Sequence, residues 1–353
     1  MLKRLLIAPM DWGIGHATRC VPIIQALERL DIEVVVASSG RAAALLKDEF
    51  PYLRHLELPA YDIRYPSRHM YWNIALQGNK ILHTARKEHR QIQQWIDQYQ
   101  LGGLMSDNRF GCFSAKVPSV FLTHQVNIDI PFWPLSQVVN YWNHWIIRRY
   151  QQCWIPDWPG DAALAGKLSV ASSAINSVHI GPLSRFKPKQ LAREWDALVL
   201  LSGPEPQRSY LEASLLEQLA AYPGKVLIVQ GKPELKTWRI IDQKIHIRSH
   251  LNANELNHAV CAADLVVCRS GYSTLMDLCV LGKKALLIPT PGQTEQEYLA
   301  QRFQAKGYCA VQPQYGLDLV KGLEEARKRS GIPTKENTNE ALENAIENLF
   351  LSI

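Results

Sequence analysis

Short apolar runs alternate along the chain with longer segments whose apolar residues recur at helical spacing. Residues 3–9 (KRLLIAP) form the first apolar run, and Val21, Ile24, Leu27 and Leu30 follow at three-residue spacing. Near-continuous runs of Val, Ile and Leu between helices are typical of parallel strands that are covered on both faces. The pattern therefore predicts an α/β fold built on parallel sheets.

The strand-like runs fall into two series. The first comprises residues 3–9, 33–38, 103–106, 119–123 and 153–156, and the second comprises residues 197–203, 225–231, 245–249, 264–271 and 285–289. Residues 181–195 lie between the two series and include Pro182 and Pro188, as is typical of a linker. We therefore predict two Rossmann-like, doubly wound domains that face each other across a cleft.

The predicted N-terminal domain covers residues 1–182, and the predicted C-terminal domain covers residues 183–335. A last helix is expected within residues 336–353, because its apolar residues share one helical face: Leu342, Ala345, Ile346, Leu349 and Phe350. We expect this helix to pack back across the domain boundary.

Composition indicates a soluble globular protein of 353 residues, of which 47% are hydrophobic and 20% charged. Its longest apolar runs have about six to eight residues, against roughly 20 for a membrane-spanning helix, and the first run is too short for a signal peptide. The seven cysteines are scattered without a Cys-x-x-Cys pair, so neither disulfides nor a zinc site is expected. We therefore predict a cytoplasmic protein.

The formal net charge of +6 suits an anionic ligand or an acidic membrane surface. The sequence contains no basic stripe or nucleic-acid-binding motif, so a nucleic-acid partner is not expected. It also contains no Asp-x-Asp, a motif that commonly clamps a metal ion. We therefore expect neither a metal ion nor another cofactor.

The loop after the first predicted strand carries Gly13, Gly15 and His16. Glycines let a backbone approach a ligand closely, and N–H groups at a helix start bind anions. The third glycine of a dinucleotide-binding motif is missing, which argues against a nicotinamide or flavin cofactor. A helix N-terminus keeps a histidine neutral, so His16 is the candidate general base. The alternative is a histidine that only caps the helix or bonds to Asp11.

Two further polar residues follow strands of the same predicted sheet. Asp107 ends the strand at residues 103–106 and is a candidate to orient His16, as carboxylates do in other catalytic pairs. The alternatives for Asp107 are a helix cap or an ion pair with Arg109. His124 also stands at a strand end and is a candidate to contact an acceptor.

The second chemically informative loop follows the strand at residues 264–271. Ser270, Gly271, Ser273 and Thr274 combine small size, hydroxyl donors and a helix start, a good arrangement for a diphosphate. Asp277, one turn further on, is a candidate to accept hydrogen bonds from ribose hydroxyls. The alternative roles are a helix cap for Ser270 and dipole complementation for Asp277.

The following strand-to-helix loop, residues 289–297, is rich in amide and carboxylate side chains. Gln293, Gln296 and Glu297 belong to it, and such groups read sugar hydroxyls. On an ordinary surface loop the same residues would serve only solubility.

Residues 263–298, ADLVVCRSGYSTLMDLCVLGKKALLIPTPGQTEQEY, resemble the nucleotide-sugar half of the N-acetylglucosaminyltransferase family that makes lipid II for peptidoglycan. That family has the GT-B fold, uses UDP-GlcNAc and needs no metal. The resemblance implies that Ser270, Gly271 and Thr274 contact the diphosphate and that Asp277 replaces the family's ribose-binding Glu. Gln296 and Glu297 would stand where the family has a Gln-Gln pair at the donor sugar, so this sequence departs from the family at Glu297.

Other positions also resemble this family. The loop from Gly13 to His16 is similar to its N-terminal glycine loop, and His124 with Asn127 resembles its His-Glu-Gln-Asn stretch, which implies acceptor contacts. Arg185 resembles an arginine that the family has in its linker, near the phosphates. Gly203, which Arg208 follows five residues later, is placed like the glycine loop of the family's C-terminal domain.

The resemblance and the loops together predict a metal-independent, inverting transfer from a UDP-sugar to a hydroxyl acceptor. His16, oriented by Asp107, would remove the acceptor proton, and the Ser270 loop with Arg185 would stabilise the departing UDP. Two rival readings stay open. Residues 13–20, GIGHATRC, also resemble the start of the UDP-sugar hydrolase of pseudaminic acid synthesis, and a sugar-nucleotide sensor would bind without turnover.

A tryptophan-rich segment, residues 133–158, contains five tryptophans together with Arg148 and Arg149. Aromatic and basic residues on one amphipathic segment can seat a protein at the inner face of an anionic membrane, which would suit a lipid-linked acceptor. The alternative, which we favour from the sequence, is a core helix with a basic exposed edge.

Overall fold

A computed structural model describes residues 4–62, 77–232, 235–334 and 338–351. The chain divides into two compact units: an N-terminal unit formed by Met1–Ser184 with Glu336–Ile353, and a C-terminal unit formed by Arg185–Lys335. The C-terminal unit is thus inserted between two parts of the N-terminal unit. The predicted boundary at residues 335–336 lies outside the described residues.

The N-terminal unit is an α/β sandwich around one parallel sheet. Its elements are β1 (Arg4–Pro9), α1 (Ile14–Arg29), β2 (Glu33–Ser38), α2 (Gly40–Glu49), β3 (Arg54–Glu57), α3 (Gly78–Tyr99), β4 (Gly103–Asp107), β5 (Ser119–Leu122), α4 (Trp133–Ile147), β6 (Gln152–Ile155), β7 (Ser177–His179) and α10 (Thr338–Ile346). The strand order is β3-β2-β1-β4-β5-β6-β7, and all neighbours are parallel. The order reverses between β1 and β4, where open sheets of this kind bind ligands.

The segment after the C-terminal unit completes the N-terminal unit. All five apolar residues predicted for its helical face are buried: Leu342, Ala345, Ile346, Leu349 and Phe350. The Phe350 ring lies 6.0 Å from the Trp154 ring, and Arg29 of α1 forms an ion pair with Glu343. Gly103 makes room for this packing, because a Cβ there would lie 2.5 Å from the Phe350 ring. The predicted return of this helix to the N-terminal unit is therefore observed.

Helix α4 corrects our interpretation of the tryptophan-rich segment. Trp133 and Trp142 are 71% and 51% exposed, and among the helix residues Trp133–Ile147 only Ile147 is buried. Trp154 belongs to β6 and is fully buried instead. The favoured core helix is therefore wrong: helix periodicity shows that a segment is amphipathic, but not which of its faces is covered.

The C-terminal unit repeats the same architecture. Its elements are β8 (Trp195–Leu200), α5 (Gln207–Leu219), β9 (Val226–Val229), β10 (Trp238–Ile241), β11 (Ile245–Arg248), α6 (Ala253–Cys261), β12 (Ala263–Cys268), α7 (Tyr272–Leu281), β13 (Ala285–Leu287), α8 (Thr294–Ala305), β14 (Ala310–Val311) and α9 (Leu319–Lys328). The order is β10-β11-β9-β8-β12-β13-β14, parallel except at the β10–β11 edge. Alternate residues of the central strands, such as Val199, Ile228 and Val267, pack into one core with α5 and α9.

The two parallel-dominated sheets confirm the predicted α/β fold with two doubly wound units. In the part of the chain that the structure describes, no helix is both long and apolar enough to cross a membrane.

Candidate active site and donor loops

His16, Arg19, Asp107 and His124 form a polar cluster beyond the carboxyl ends of β1, β4 and β5. Asp107 is the last residue of β4, and His124 stands two residues after β5. His16 and Arg19 are one turn apart on α1, so their side chains share one face of that helix. The fold thus brings together His16, Asp107 and His124, which the sequence singled out, and Arg19 joins them.

His16 and Asp107 are in direct contact, with 2.9 Å between His16 Nδ1 and Asp107 Oδ1. Arg19 also lies 2.9 Å from His16 Nδ1, but the same Arg19 nitrogen already donates to Asp107 Oδ1. The consistent assignment is therefore that Nδ1–H donates to the carboxylate and Nε2 carries the lone pair. The His16 side chain is 22% exposed, whereas Asp107 is fully buried.

Burial lowers the pKa of His16 below its usual 6.5. Arg19 and His124 also lower this pKa, whereas Asp107 raises it without outweighing the other causes. For Asp107, burial alone would raise the pKa, but Arg19 and His16 outweigh it and bring the pKa to about 2. At neutral pH the pair is thus a neutral imidazole held by an ionised carboxylate. This is the protonation state that a general base requires.

The alternatives considered for these residues are not what the structure contains. Asp11 accepts a hydrogen bond from the Tyr61 backbone N–H, at 3.1 Å, and His16 is directed to Asp107. Arg109 pairs with Glu88, so the carboxylate of Asp107 is left to Arg19.

Gly13 and Gly15 mark the start of α1. Gly13 precedes the first helical residue, and no side chain caps this N-terminus. A Cβ on Gly13 would meet no atom within 4 Å, so the space beside it is open. The loop therefore has room for the close approach that the sequence predicts.

Asn127, predicted to contact the acceptor, ties its loop to the segment at residues 167–170 and to α4. Its amide nitrogen donates to the carbonyl oxygens of Lys167 and Val170, at 3.0 and 2.7 Å, and its amide oxygen lies 3.1 Å from His144 Nε2. The structure therefore assigns Asn127 to holding the loop after β5. His124 is buried, and its Nδ1 lies 3.2 Å from Arg19 Nη1.

The Ser270 loop joins β12 to α7 in the C-terminal unit. Gly271 is the N-cap of α7, which places Ser273 and Thr274 in its first turn and Asp277 one turn beyond Ser273. Ser270 is buried, and its hydroxyl donates to the Gln296 carbonyl at 2.7 Å. The Ser270 hydroxyl therefore fixes this loop to α8, and a Cβ on Gly271 would meet nothing within 4 Å.

The amide-rich loop before α8 is ordered by its own side chains. Gln296 Oε1 accepts from the Thr290 backbone N–H, and Glu297 Oε1 accepts from the Gly292 N–H, both at 2.9 Å. The Gln296 amide also donates to Gln293. These three predicted sugar-binding residues thus lie together and shape the backbone of the loop.

Arg208 and Arg185 were both predicted to contact the donor. Arg208 is buried and donates to Glu205 and Glu212, so two carboxylates already offset its charge. It therefore braces the turn that follows Gly203, and its predicted contact with the donor finds no support in this geometry. Arg185, the first residue of the C-terminal unit, stacks on the Phe186 ring at 5.4 Å.

Sequence reasoning missed Arg19 and Cys20. Arg19 donates through Nε to Asp107 Oδ2 at 2.6 Å, and Cys20 Sγ lies 3.8 Å from the same oxygen. The available signal was an arginine three residues after the candidate base, on the same predicted helix. Within the described ranges, no group of three or more His, Cys, Asp and Glu side chains is arranged to hold a metal ion.

Comparison with known proteins gives a family match for the second half of the chain. Residues 214–349 match the model of the glycosyltransferase family 28 C-terminal domain. Among curated proteins, the UDP-N-acetylglucosamine–N-acetylmuramyl-(pentapeptide) pyrophosphoryl-undecaprenol N-acetylglucosamine transferase of Porphyromonas gingivalis is 33% identical over 104 residues, covering 28% of this chain and 27% of that protein. The same enzyme of Alkaliphilus oremlandii is 28% identical over 163 residues, covering 41% and 44%. The matched segments thus span about a quarter to a half of these relatives.

Solved structures match over almost the whole chain. MurG of Acinetobacter baumannii superposes with a TM-score of 0.56 at 14% identity, covering 98% of this chain and 99% of that one. The glycosyltransferase SnogD from Streptomyces nogalater gives a TM-score of 0.62 at 13% identity, covering 99% and 100%.

These structural matches show that the chain has the two-domain α/β fold of the GT-B glycosyltransferases. Within that class, it resembles the lipid II-forming N-acetylglucosaminyltransferase family, as the sequence of its C-terminal half predicts.

Proposed function

We propose that this protein is an inverting, metal-independent glycosyltransferase that transfers a sugar from a UDP-sugar to a hydroxyl acceptor. GlcNAc is the sugar we favour, because the sequence relatives are named as N-acetylglucosamine transferases. The family 28 match, which covers most of the C-terminal unit, supports a nucleotide-sugar donor. The observation that carries the catalytic assignment is the 2.9 Å contact between His16 Nδ1 and Asp107 Oδ1.

The proposed reaction is a single displacement. His16 Nε2 takes the proton of the acceptor hydroxyl while its oxygen attacks the anomeric carbon of the sugar. The bond from that carbon to the diphosphate oxygen breaks, and UDP leaves with the electron pair. Attack from the opposite side inverts the anomeric centre. Asp107 stabilises the imidazolium that forms, as carboxylates do in other catalytic pairs.

The Ser270–Thr274 loop is the proposed diphosphate site. The N–H groups at the start of α7 favour a negative charge, and the open space at Gly271 admits it. Stabilising the departing UDP in this way lowers the barrier without a metal ion. We propose that Asp277 contacts the ribose. The donor sugar would be contacted by the side chains of Gln293, Gln296 and Glu297.

The decisive experiment incubates the purified protein with UDP-GlcNAc and a panel of hydroxyl acceptors that includes lipid-linked ones, with and without EDTA. We expect acceptor-dependent UDP release that EDTA leaves unchanged, and a product of inverted configuration. A thermal-shift panel of nucleotides supplies the binding control, because a preferred ligand stabilises the folded state. Loss of activity in EDTA that manganese restores would contradict the metal-independent mechanism.

A UDP-sugar hydrolase is the second candidate, and one observation favours it. Three residues of the GIGHATRC stretch, His16, Arg19 and Cys20, contact Asp107. In that reaction, water would replace the acceptor hydroxyl at His16 Nε2. The two candidates are separated by whether UDP is released from a UDP-sugar when no acceptor is added.

We further propose that α4 contacts an anionic membrane surface, where a lipid-linked acceptor would be presented. Its exposed aromatic residues include Trp133, Trp142 and Trp145, and the Arg149 guanidinium lies 3.7 Å from the Trp145 ring centre. Trp and Arg together suit the interface between headgroups and acyl chains. Vesicle flotation tests this contact.

The wild-type protein should float with phosphatidylglycerol vesicles, and the double variant Trp133→Ser/Trp142→Ser should not. Trp238→Ser is the matched control, because Trp238 is a tryptophan of the C-terminal unit that is 57% exposed. A wild-type protein that stays unbound would remove the membrane proposal and leave the transferase proposal intact.

A further inference from the structure

Arg109, two residues after Asp107, is a fully buried side chain that binds the chain at the ends of three strands. Its Nε donates to the carbonyl oxygen of Pro9, the last residue of β1, at 2.8 Å. Its Nη2 donates to the Ser39 hydroxyl after β2 at 2.7 Å, and its Nη1 to the carbonyl oxygen of Pro59 after β3 at 3.1 Å. One guanidinium group thus ties the carboxyl ends of β1, β2 and β3 to the segment that follows β4.

The contact with Pro9 lies at the level of the candidate catalytic pair. Asn108 adopts the left-handed region with a φ of +57°, so the chain turns sharply between Asp107 and Arg109. Asp107 contacts His16, and Pro9 is the register partner of Asp107 in the pairing of β1 with β4. Arg109 therefore binds β1 where the chain leaves that strand for α1 and His16.

Glu88 of α3 holds Arg109 in place and extends these contacts into the loop between β1 and α1. Its carboxylate pairs with Arg109 Nη1 and accepts a hydrogen bond from the Tyr61 hydroxyl at 2.6 Å. The Tyr61 backbone N–H in turn donates to the Asp11 carboxylate at 3.1 Å. The loop that leads to His16 is thus held at two points, at its start on β1 and at Asp11.

Stability alone does not explain a buried ion pair of this kind, because apolar side chains of similar volume often stabilise a core equally well or better. A guanidinium group adds defined geometry instead, since its N–H groups point in fixed directions. The reaction proposed above uses neither Arg109 nor Glu88. It does depend on geometry, because a small displacement of a catalytic group costs much of its effect.

We propose that Arg109 is a positioning residue for the pair formed by His16 and Asp107. It fixes the end of β1 against the end of β4 and, through Glu88, the middle of the loop that joins β1 to α1. His16 Nδ1 is thereby kept within hydrogen-bond distance of Asp107. Arg109 acts through this loop and touches neither donor nor acceptor. The inference rests on the proposed function, in which His16 is the general base.

The test follows the hydrogen bond itself, through the tautomer of His16 in the full chain. Nitrogen-15 NMR of labelled histidine shows which ring nitrogen carries the proton, and His16→Gln assigns the signal. At about pH 8, where a histidine is neutral, we expect the wild-type ring to be protonated on Nδ1 alone, because Asp107 accepts from that atom. Arg109→Lys and Tyr61→Phe should lose this single tautomer and show a share of the Nε2–H form.

Both variants keep the formal charge of the protein, so a changed tautomer reports changed geometry. Lysine at position 109 can still pair with Glu88 but lacks the fork that also reaches Pro9. Phenylalanine at position 61 removes only the hydroxyl that Glu88 accepts. Ile96→Val is the matched control, because Ile96 is a buried core residue of α3 outside these contacts. It should lower the melting temperature and leave the tautomer unchanged.

Kinetics supply a second measurement that a purely structural role would not move. Turnover should fall about tenfold in Arg109→Lys while the KM for the UDP-sugar stays at the wild-type value, because only the placement of the base changes. Ile96→Val should keep both constants. A change confined to KM would indicate lost substrate binding and contradict the positioning role.

The outcomes separate this inference from the proposed function. A folded Arg109→Lys whose His16 keeps the wild-type tautomer overturns the positioning role, and Tyr61→Phe decides in the same way if Arg109→Lys does not fold. A wild-type His16 protonated on Nε2, or an equal change in Ile96→Val, also overturns it. A wild-type protein without transfer activity refutes the proposed function, whereas tautomer loss in Arg109→Lys alone still assigns the placement of His16 to Arg109.

Discussion

The Nε atom of Arg19 donates to Asp107 Oδ2 at 2.6 Å, so the carboxylate that orients the candidate base is also one half of a buried ion pair. Arg19 keeps Asp107 ionised and fixes its position, while its positive charge disfavours a proton on His16. The arginine thus tunes the base through a residue that both of them contact. Four predictions follow from this cluster, from the Ser270 loop and from a second buried ion pair.

Replacing His16 by Gln should lower the rate of sugar transfer by a factor of about 100 or more, because no group would accept the acceptor proton. UDP affinity should be unchanged, since the proposed phosphate contacts lie on the Ser270 loop. Steady-state kinetics and UDP titration measure the two effects. His258→Gln, at an exposed histidine that pairs with Glu194, is the control. Wild-type turnover in His16→Gln would exclude His16 as the base.

The acid limb of the kcat/KM profile should lie below pH 6.5, because His16 is active when neutral and its pKa is lowered. Above that limb the rate should stay level through neutral pH. Arg19→Gln removes a charge that lowers the pKa of His16, so its acid limb should move to higher pH. Arg29→Gln, on the same helix but paired with Glu343, should leave the profile in place. An unmoved limb in Arg19→Gln would show that Arg19 does not set the pKa of His16.

Gly271→Ala should weaken UDP binding about tenfold or more while leaving the melting temperature close to that of the wild-type protein. The added methyl group meets no atom within 4 Å and the φ of −71° is ordinary, so the fold tolerates it. The same methyl group would occupy the space proposed for the diphosphate. Gly78→Ala, whose Cβ also meets nothing, is the matched control. Undiminished UDP affinity in Gly271→Ala would place the phosphates elsewhere.

Glu88→Ala should destabilise the protein by about 3–5 kcal/mol, because it removes the main carboxylate partner of the buried Arg109 and leaves only Asp11, at 3.9 Å. Glu88 also accepts from the Tyr61 hydroxyl at 2.6 Å and from the Gly111 N–H at 3.1 Å. Urea unfolding measures the loss. Asp97→Ala, which breaks the exposed pair with Lys116, should cost less than about 1 kcal/mol. Equal effects of the two substitutions would contradict this account.

The buried central strands were predictable, and several edge strands were not. Runs such as VVVA in β2 and LVVC in β12 are apolar throughout because both faces of a central parallel strand are covered. In contrast, β3 reads RHLE, and all four residues of β10, WRII, are exposed. Edge strands pair on one side only, so their sequences lack the pattern that identifies a strand.

The candidate site likewise contains residues that the sequence could identify and contacts that it could not. His16 and Asp107 could be found because strand-end loops of an open sheet meet at one edge. Arg19 was missed, because its spacing from His16 indicates a shared face of α1 but not that this face meets Asp107. Nor does the sequence reveal that the Asn127 amide and the Ser270 hydroxyl are engaged by backbone carbonyls. Such occupancy depends on distances that only the folded chain defines.

The insertion of the C-terminal unit between two parts of the N-terminal unit has a consequence for biosynthesis. While the ribosome is still making residues 185–335, the first 184 residues lack Phe350, whose side chain fills the space beside Gly103 and Trp154. Until those last residues are synthesised, the nascent N-terminal unit therefore exposes an apolar groove to the solvent. During this interval the N-terminal unit is a natural client for chaperones, whereas the inserted unit can complete its own core first.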